Sequence, residues 1–150
     1  MSTRWYTEWF NTTFYHDLYQ YRDDREASRF IEELCTKLKI KNGESALDIG
    51  CGRGRHAKVL SEQGLKTLGI DLSQESIEFA RQYEHKDLHF KVGNMLEELP
   101  FGSFDWVMNL FTSFGYFEND NLHELALKNM AKTLKPRGRL VIDFMNSGKI

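Results

Sequence analysis

Apolar and polar positions along this chain follow a repeating strand–helix pattern. Short apolar runs, typical of buried strands, are separated by stretches in which apolar residues recur at helical spacing. Strands are predicted at about 45–49, 66–71, 88–92, 104–109 and 139–144. Helices are predicted at about 54–63, 74–84 and 120–134, after an earlier helix whose apolar stripe is Ala27, Phe30, Ile31, Leu34 and Leu38. This alternation predicts a doubly wound α/β fold with a mostly parallel sheet.

The connections between these elements predict the topology. Parallel strands with right-handed crossovers favour the order 3-2-1-4-5, with a ligand site at the switch point between strands one and four. Ser73 is predicted to begin the second of these helices, and Asn121 with Glu124 the last. The turn at 136–138 before strand five is predicted to be type I, because Arg137 disfavours a positive φ.

Composition excludes several classes of partner. With 150 residues and a net charge of −2, the chain has no global basic field, so no nucleic-acid partner is expected. It contains no apolar run that could span a membrane, and its N-terminus does not resemble a signal peptide. Its two cysteines form no disulfide framework, which suits the cytoplasm, and Cys51 is interpreted as a small residue that fits its loop rather than a redox group. Only His85 and His89 have a metal-like spacing, so no metal site is expected.

A glycine-rich turn follows the first strand. Residues 46–54 read Ala-Leu-Asp-Ile-Gly-Cys-Gly-Arg-Gly, and a second acid, Asp71, ends the next strand. Glycines let a ligand approach the backbone closely, and an acid after the second strand can bind both ribose hydroxyls. The pattern therefore predicts a nucleoside site above Gly50, Gly52 and Gly54.

Five motifs in register resemble the class I, Rossmann-like S-adenosylmethionine-dependent methyltransferases, over about residues 45–146. They are Leu47–Gly54, Gly69–Ser73, Val92–Met95, Phe104–Asn109 and Leu134–Leu140. The resemblance implies S-adenosylmethionine as cofactor, S-adenosylhomocysteine as product and a small-molecule methyl acceptor. We accordingly divide the chain into an N-terminal helical lid or cap, residues 1–42, and a Rossmann-like cofactor-binding domain, residues 43–150.

The resemblance also implies roles at the methionine and ribose parts of the cofactor. Gly50, Gly52 and Gly54 would shape the loop beneath the methionine part, while Asp48 helps to fix that loop and the cofactor's ammonium. Asp71 would take the ribose hydroxyls. Two plainer alternatives stay open: Asp48 as an acid that only fixes the loop, and Asp71 as a residue that only begins a helix.

Further roles follow from the resemblance at the remaining strand ends. Leu72 would pack on the adenine face, Asn94 would accept from the adenine amino group, and Met95 would offer its backbone N–H to the ring. Asn109 and Leu110 would approach the methionine end. The family more usually has aspartate where this chain has Asn94, but an amide oxygen still accepts, so we expect weaker binding at most.

Two arginines lie at the start of the first helix after the glycine turn, where positive charge opposes the helix dipole. This conflict suggests a carboxylate of the cofactor or substrate as partner for Arg53 and Arg55, and we assign Arg55 to the cofactor site. The alternative is that both arginines point into solvent. Asp105, at the start of strand four, is expected to be structural.

The aromatic-rich residues 5–21 are predicted to form one or two short helices. They would either pack on the sheet or form a lid, with Tyr15, His16, Tyr19 and Arg22 facing the reacting centre. Tyr19 and Arg22 are assigned to the cofactor site.

Methyl transfer from an activated cofactor depends mainly on alignment and exclusion of water. Where an acceptor also needs a base, the candidates are His16, Tyr15 and His56, although His56 is equally well explained as a packed or surface residue. The apolar loop 111–117 after strand four predicts a substrate pocket or, alternatively, packing beneath the lid.

The sequence ends at Ile150, where the family's sheet continues with an antiparallel pair of strands. Residues 140–144 would then form an apolar edge strand, so we expect either a truncated chain or a homodimer through that strand.

Two other functions compete with methyl transfer as explanations of this sequence. A nicotinamide-dependent oxidoreductase would carry Gly-x-Gly-x-x-Gly, but the sixth position here is Arg55. The second alternative is not an enzyme: a non-catalytic S-adenosylmethionine-binding fragment or subunit.

Overall fold

A computed structural model describes residues 24–110 and 118–143 of the chain. The described strands form one sheet in the order β3-β2-β1-β4-β5, and every neighbouring pair is parallel. The predicted topology is therefore confirmed. The strands are β1 (Ser45–Ile49), β2 (Lys66–Asp71), β3 (Leu88–Val92), β4 (Phe104–Asn109) and β5 (Leu134–Ile142).

Four α-helices lie in the described residues: α1 (Asp24–Lys37), α2 (Arg55–Glu62), α3 (Gln74–Ala80) and α4 (Asp120–Ala131). The α-helix predicted over 74–84 ends at Ala80 and continues as a 3₁₀ turn over Arg81–Tyr83. The last helix is three residues shorter than predicted. Such differences at helix ends are of ordinary size.

The starts of two helices test the predicted caps. Ser73 caps α3 as predicted, because its side chain accepts a hydrogen bond from Ser76 N at 3.1 Å. The prediction of Asn121 for α4 is wrong. Asn119 is the cap, and its Oδ1 accepts from Leu122 N at 3.0 Å.

The turn into the outer part of β5 also differs from the prediction. Arg137 has a φ of +67°, so the type I turn is wrong. The pairing of β4 with β5 shifts register between Phe104 and Trp106, which pair with Leu134 and Arg139. Arg137 lies in the stretch between these two pairs, in a left-handed conformation that its side chain disfavours locally.

Helices cover both faces of the sheet. Alternate residues of β4 point to opposite faces: Trp106 and Met108 join the cluster beneath α1, and Val107 joins the cluster beneath α4. The predicted stripe of α1 is confirmed, since Ala27 and Ile31 are buried and its other members pack partly buried against them. With both faces covered, the ends of the strands are left for a ligand.

Asp105 joins the amino ends of β1, β4 and β5. Its Oδ2 accepts from Ser45 N at 2.8 Å and lies 3.3 Å from Lys135 Nζ. The hydrogen bond from the Ser45 backbone is the main cause that lowers the Asp105 pKa. The structural role predicted for Asp105 is confirmed.

No helix in the described residues is long and apolar enough to cross a membrane. Those residues also contain no group of three or more histidine, cysteine or acidic side chains that could hold a metal ion. His85 Nε2 instead lies 3.3 Å from Ser61 Oγ, and His89 Nε2 lies 3.1 Å from the Lys86 carbonyl.

Candidate functional site

The glycine turn runs from the end of β1 across the end of β2. The N–H groups of Gly50 and Cys51 both donate to the Ile70 carbonyl, at 2.8 and 2.9 Å. Gly50, Gly52 and Gly54 all have positive φ, between +56° and +88°. This backbone path needs residues without a Cβ, and it brings the turn against the acidic end of β2.

Gly54 and Gly52 meet different surroundings. A Cβ on Gly54 would lie 2.6 Å from Phe90 Cζ and 3.0 Å from Ala80 Cβ, so this glycine is required by packing. A Cβ on Gly52 would have no atom of residues 24–110 and 118–143 within 4 Å. Gly52 therefore borders space that the described residues leave open for a ligand.

Asp71 ties this turn to the end of β2. Its Oδ2 accepts from Gly52 N and its Oδ1 from Ser73 N, both at 2.8 Å. Burial raises the Asp71 pKa, and these two N–H groups oppose that rise. Each carboxylate oxygen keeps a further lone pair for a ligand hydroxyl. Asp71 is thus more than a helix-start residue, because the cap of α3 is Ser73.

Asp48 lies in the middle of the sheet, opposite Gly69 of β2 and Met108 of β4, and is 2% exposed. Burial, with a smaller contribution from the charge of Asp71, raises the Asp48 pKa to about 7. Among the described residues no donor is hydrogen-bonded to the Asp48 carboxylate, so the predicted loop-fixing bond is not seen there. A buried acid of this kind favours a cationic partner.

Asn109 ends β4 beside the same turn and is fully buried. Its Nδ2 donates to the Ile49 carbonyl at 2.8 Å, which fixes the end of β1. Its Oδ1 is buried and has no hydrogen-bond partner in the described part of the chain. Leu110, predicted to approach the methionine end, is 4% exposed and packs in the core cluster that includes Ile31.

The residues after β3 form a tight turn next to Asp71. Gly93 N donates to the Asp71 carbonyl at 3.0 Å, and Leu96 N donates to Asn94 Oδ1 at 2.9 Å. Leu72 is half-buried beside this turn.

Sequence reasoning missed one residue that supports this turn. Asn129, on the buried side of α4, donates through Nδ2 to the Met95 carbonyl at 3.0 Å. The signal in the sequence was a polar residue directly before Met130, on a helix whose Met130 side is buried.

Two arginines around the start of α2 contact other side chains of this chain. The Arg53 guanidinium lies 4.6 Å above the Phe79 ring. Arg55 Nε lies 3.6 Å from Asp24 Oδ1, so one carboxylate partner of Arg55 comes from α1.

The His56 ring packs edge to face on Phe30, with centroids 6.2 Å apart. This arrangement fits the packed interpretation of His56.

Cys51 is buried within the turn. Burial, together with the charges of Asp48 and Asp71, raises the pKa of its thiol well above the usual range, so it stays protonated. This supports its interpretation as a small fitting residue.

Several predicted site residues lie outside the described ranges: Tyr15, His16, Tyr19, Arg22 and the loop 111–117. Of the others, the structure brings one set together at the carboxyl edge of the sheet: Asp48, Gly50, Gly52, Asp71, Leu72, Asn94, Met95 and Asn109.

Comparison with known proteins identifies the family of the chain. Residues 46–138 match the family model described as Methyltransferase domain. YqeM of Bacillus subtilis, which its name places among the methyltransferases, is 36% identical over 107 residues, covering 69% of this chain and 43% of YqeM. Rat glycine N-methyltransferase is 33% identical over 116 residues, covering 67% of this chain and 40% of that enzyme.

A solved structure agrees in fold. The TehB-like S-adenosylmethionine-dependent methyltransferase of Corynebacterium glutamicum superposes with a TM-score of 0.67 at 29% identity, covering 82% of this chain and 66% of that one. The chain spans less than half the length of the two curated relatives.

Proposed function

The chain belongs to the methyltransferase-domain family, and we propose that it binds S-adenosylmethionine and transfers the methyl group to a small molecule. One observation carries this proposal. The Asp71 carboxylate, with a free lone pair on each oxygen, is hydrogen-bonded to Gly52, and the described residues leave the space around the Gly52 Cβ position open. An acid for ribose hydroxyls is thereby fixed beside a surface that a thioether chain can follow.

The strand order orients the cofactor. Asp71 ends β2, which lies between β1 with its glycine turn and β3 with the turn at Asn94. A ribose at Asp71 therefore points its base towards Asn94 and its 5′ substituent towards Gly52. The half-buried Leu72 is then placed to pack on the base.

The residues at the other end fit the methionine part. Asp48 is 2% exposed, and its pKa shift has no hydrogen-bond donor among its causes. Asn109 Oδ1 is buried and has no hydrogen-bond partner among residues 24–110 and 118–143. An ammonium group supplies both charge and N–H donors. Bound beside Asp48, it would favour the charged form of that carboxylate and pair with it.

The bound cofactor would supply a methyl group already activated on a sulfonium. The chain's own residues then act by binding and orientation: Asp71 holds the ribose, the glycine turn holds the chain that leads to sulfur, and the Asn109–Ile49 bond fixes the two strand ends relative to each other. Roles for Tyr15, His16, Tyr19 and Arg22 stay predictions.

A small-molecule acceptor is supported by the relatives. Rat glycine N-methyltransferase, by its name, methylates the nitrogen of a single amino acid. Of the three candidate bases, His56 lies in the described residues, where its ring packs on Phe30. We therefore rank His16 and Tyr15 above it for an acceptor that needs a base.

The direct test is turnover with methyl-labelled S-adenosylmethionine. The chain is incubated with panels of small amines, alcohols, carboxylic acids and thiols, and S-adenosylhomocysteine and labelled products are measured by mass spectrometry. Equal release of both in the presence of one acceptor class supports the proposal. Cofactor binding without product on any panel favours the non-catalytic alternative, and no cofactor binding overturns the proposal.

A further inference from the structure

Resting on the proposed function, we infer that Asn129 of α4 is a positioning residue for the purine of the cofactor. It acts through the peptide group between Met95 and Leu96, which is also bonded to the side chain of Asn94. The sequence predicts that Asn94 accepts a hydrogen bond from the adenine amino group. Asn129 would therefore affect how well the site selects adenine without contacting the cofactor itself.

Two hydrogen bonds meet on this one peptide group. Asn129 Nδ2 donates to the Met95 carbonyl at 3.0 Å. The N–H of the same peptide group, Leu96 N, donates to Asn94 Oδ1 at 2.9 Å. Because a trans peptide is planar and its C=O and N–H point in opposite directions, a bond that fixes the carbonyl also fixes the direction of the N–H. A chain of hydrogen bonds thus leads from α4 to the Asn94 side chain.

The other bonds of this turn are local or come from β2. Glu97 N donates to the Asn94 carbonyl at 2.9 Å, and Gly93 N donates to the Asp71 carbonyl at 3.0 Å. An asparagine oxygen that accepts from the N–H two residues later is a common turn element, and surface turns of this kind open easily. The bond from Asn129 ties the turn to a helix as well.

The surroundings of Asn129 show why an amide at this position serves the turn. Asn129 is 5% exposed and directly precedes the fully buried Met130. Met95 and Leu96 pack, partly buried, against the core cluster that contains Met130. A buried polar group lowers stability unless it is hydrogen-bonded. Here the compensating bond goes to the turn after β3 rather than within α4, so the amide links the helix to the candidate site.

The predicted contact of Asn94 with adenine depends on direction. The 6-amino group of adenine is a donor, whereas the 6-oxygen of hypoxanthine is an acceptor. Asn94 Oδ1 accepts from Leu96 N through one lone pair and keeps a second for the 6-amino group. Without Asn129 the peptide between Met95 and Leu96 can rotate, and Asn94 loses its orientation. The preference for adenine over hypoxanthine should then decrease.

Titration calorimetry of the full chain with S-adenosylhomocysteine and S-inosylhomocysteine tests this inference. We expect the wild type to bind the adenosyl ligand at least about tenfold more tightly, the effect of one hydrogen bond. In Asn129→Ala the affinity for the adenosyl ligand should fall about five- to tenfold, and the preference should fall below about threefold. Asn129→Leu, which fills the space of the amide without a donor, should give the same change and replaces the alanine variant if that variant does not fold.

Thr133→Ala is the matched control. Thr133 follows α4, is 2% exposed and donates through Oγ1 to the Met130 carbonyl at 2.6 Å. The variant therefore also removes a buried side-chain hydrogen bond to a carbonyl. Because that bond lies beside the amino end of β4, where Phe104 N donates to the Thr133 carbonyl, both ligands should bind as they do to the wild type.

Hydrogen exchange, measured by NMR on the free protein, follows the same bond without a ligand. The Leu96 N–H should exchange about tenfold faster in Asn129→Ala than in the wild type, and at the wild-type rate in Thr133→Ala. An unchanged Leu96 rate or an unchanged ligand preference in Asn129→Ala would overturn the inference, as would an equal loss of preference in Thr133→Ala. Failure of the wild type to bind S-adenosylhomocysteine would instead overturn the proposed function.

Discussion

Gly52 N donates to Asp71 Oδ2 at 2.8 Å, across 19 residues of sequence. This bond makes the glycine turn after β1 and the acid after β2 a single unit. A change in either residue should therefore alter cofactor binding through both the loop and the ribose contact.

Gly54→Ala and Gly52→Ala should separate folding from binding. At Gly54 the new Cβ would lie 2.6 Å from Phe90 Cζ, at a φ of +88°. We expect a loss of about 2–4 kcal/mol in the free energy of unfolding, from overpacking and left-handed strain. At Gly52 only the strain applies, about 1–2 kcal/mol, but the Cβ enters the space proposed for the cofactor.

Urea unfolding and calorimetry with S-adenosylhomocysteine check this pair. Gly52→Ala should weaken binding by about tenfold or more while keeping most of the stability, on the scale of one lost contact of about 1.4 kcal/mol. Unchanged affinity in Gly52→Ala would show that the open space at Gly52 is not the cofactor's.

Asp48 should make stability fall as pH rises. Its native pKa of about 7 lies above the unfolded value of 3.8, so the native state binds more protons between about pH 4 and 7. The contribution of Asp48 to the free energy of unfolding is therefore complete below about pH 4. It decreases by up to about 4 kcal/mol as the pH rises through 7.

Asp48→Asn removes this titration with little change in shape, so the variant isolates it. We expect the difference in unfolding free energy, wild type minus variant, to decrease steadily from pH 4.5 to 8 in urea titrations. Parallel pH profiles for the two proteins would contradict the raised pKa.

Cofactor binding should release a proton from Asp48. At pH 6.5 an α-ammonium is already protonated, while Asp48 is mostly protonated. A cation beside the carboxylate favours its charged form, so about half a proton or more should be released on binding. Calorimetry in two buffers of different ionisation enthalpy measures this number. If the wild type and Asp48→Asn released the same number of protons on binding, the cofactor's ammonium would not lie beside Asp48.

Much of the fold could be predicted because its signals are local in sequence. Each strand is an apolar run, and the site residues follow directly where such runs end, as Asp71 follows 66–70 and Gly50 follows 45–49. Parallel strands bring those ends to one edge, so the set at Asp48, Asp71 and Asn94 follows from topology.

The features that were missed depend on contacts distant in sequence. Arg137 takes a positive φ, against the local preference of arginine, within the register shift between β4 and β5. The bond from Asn129 to Met95 joins residues 34 apart, and the ion pair of Arg55 reaches Asp24 on another helix. Local patterns do not specify which helix face meets which turn.

Asn109 should matter for stability because it joins β4 to β1. Asn109→Ala leaves the Ile49 carbonyl without its donor in a fully buried place, and we expect a loss of about 1–3 kcal/mol. Asn121→Ala, at an exposed position of α4, should change stability by no more than about 0.5 kcal/mol. Equal unfolding midpoints for both variants would show that the Asn109 bond adds little.

The measurement that tests the central claim most directly is calorimetric titration of wild type, Asp71→Asn and Asp105→Asn with S-adenosylhomocysteine and with NAD. Asp105 is the matched control, since it joins the opposite ends of the strands. We expect the wild type to bind S-adenosylhomocysteine and not NAD, with affinity reduced at least about tenfold in Asp71→Asn, the scale of a charge-assisted hydrogen bond, and unchanged in Asp105→Asn. Binding of NAD alone, or equal affinity for S-adenosylhomocysteine in wild type and Asp71→Asn, would contradict it.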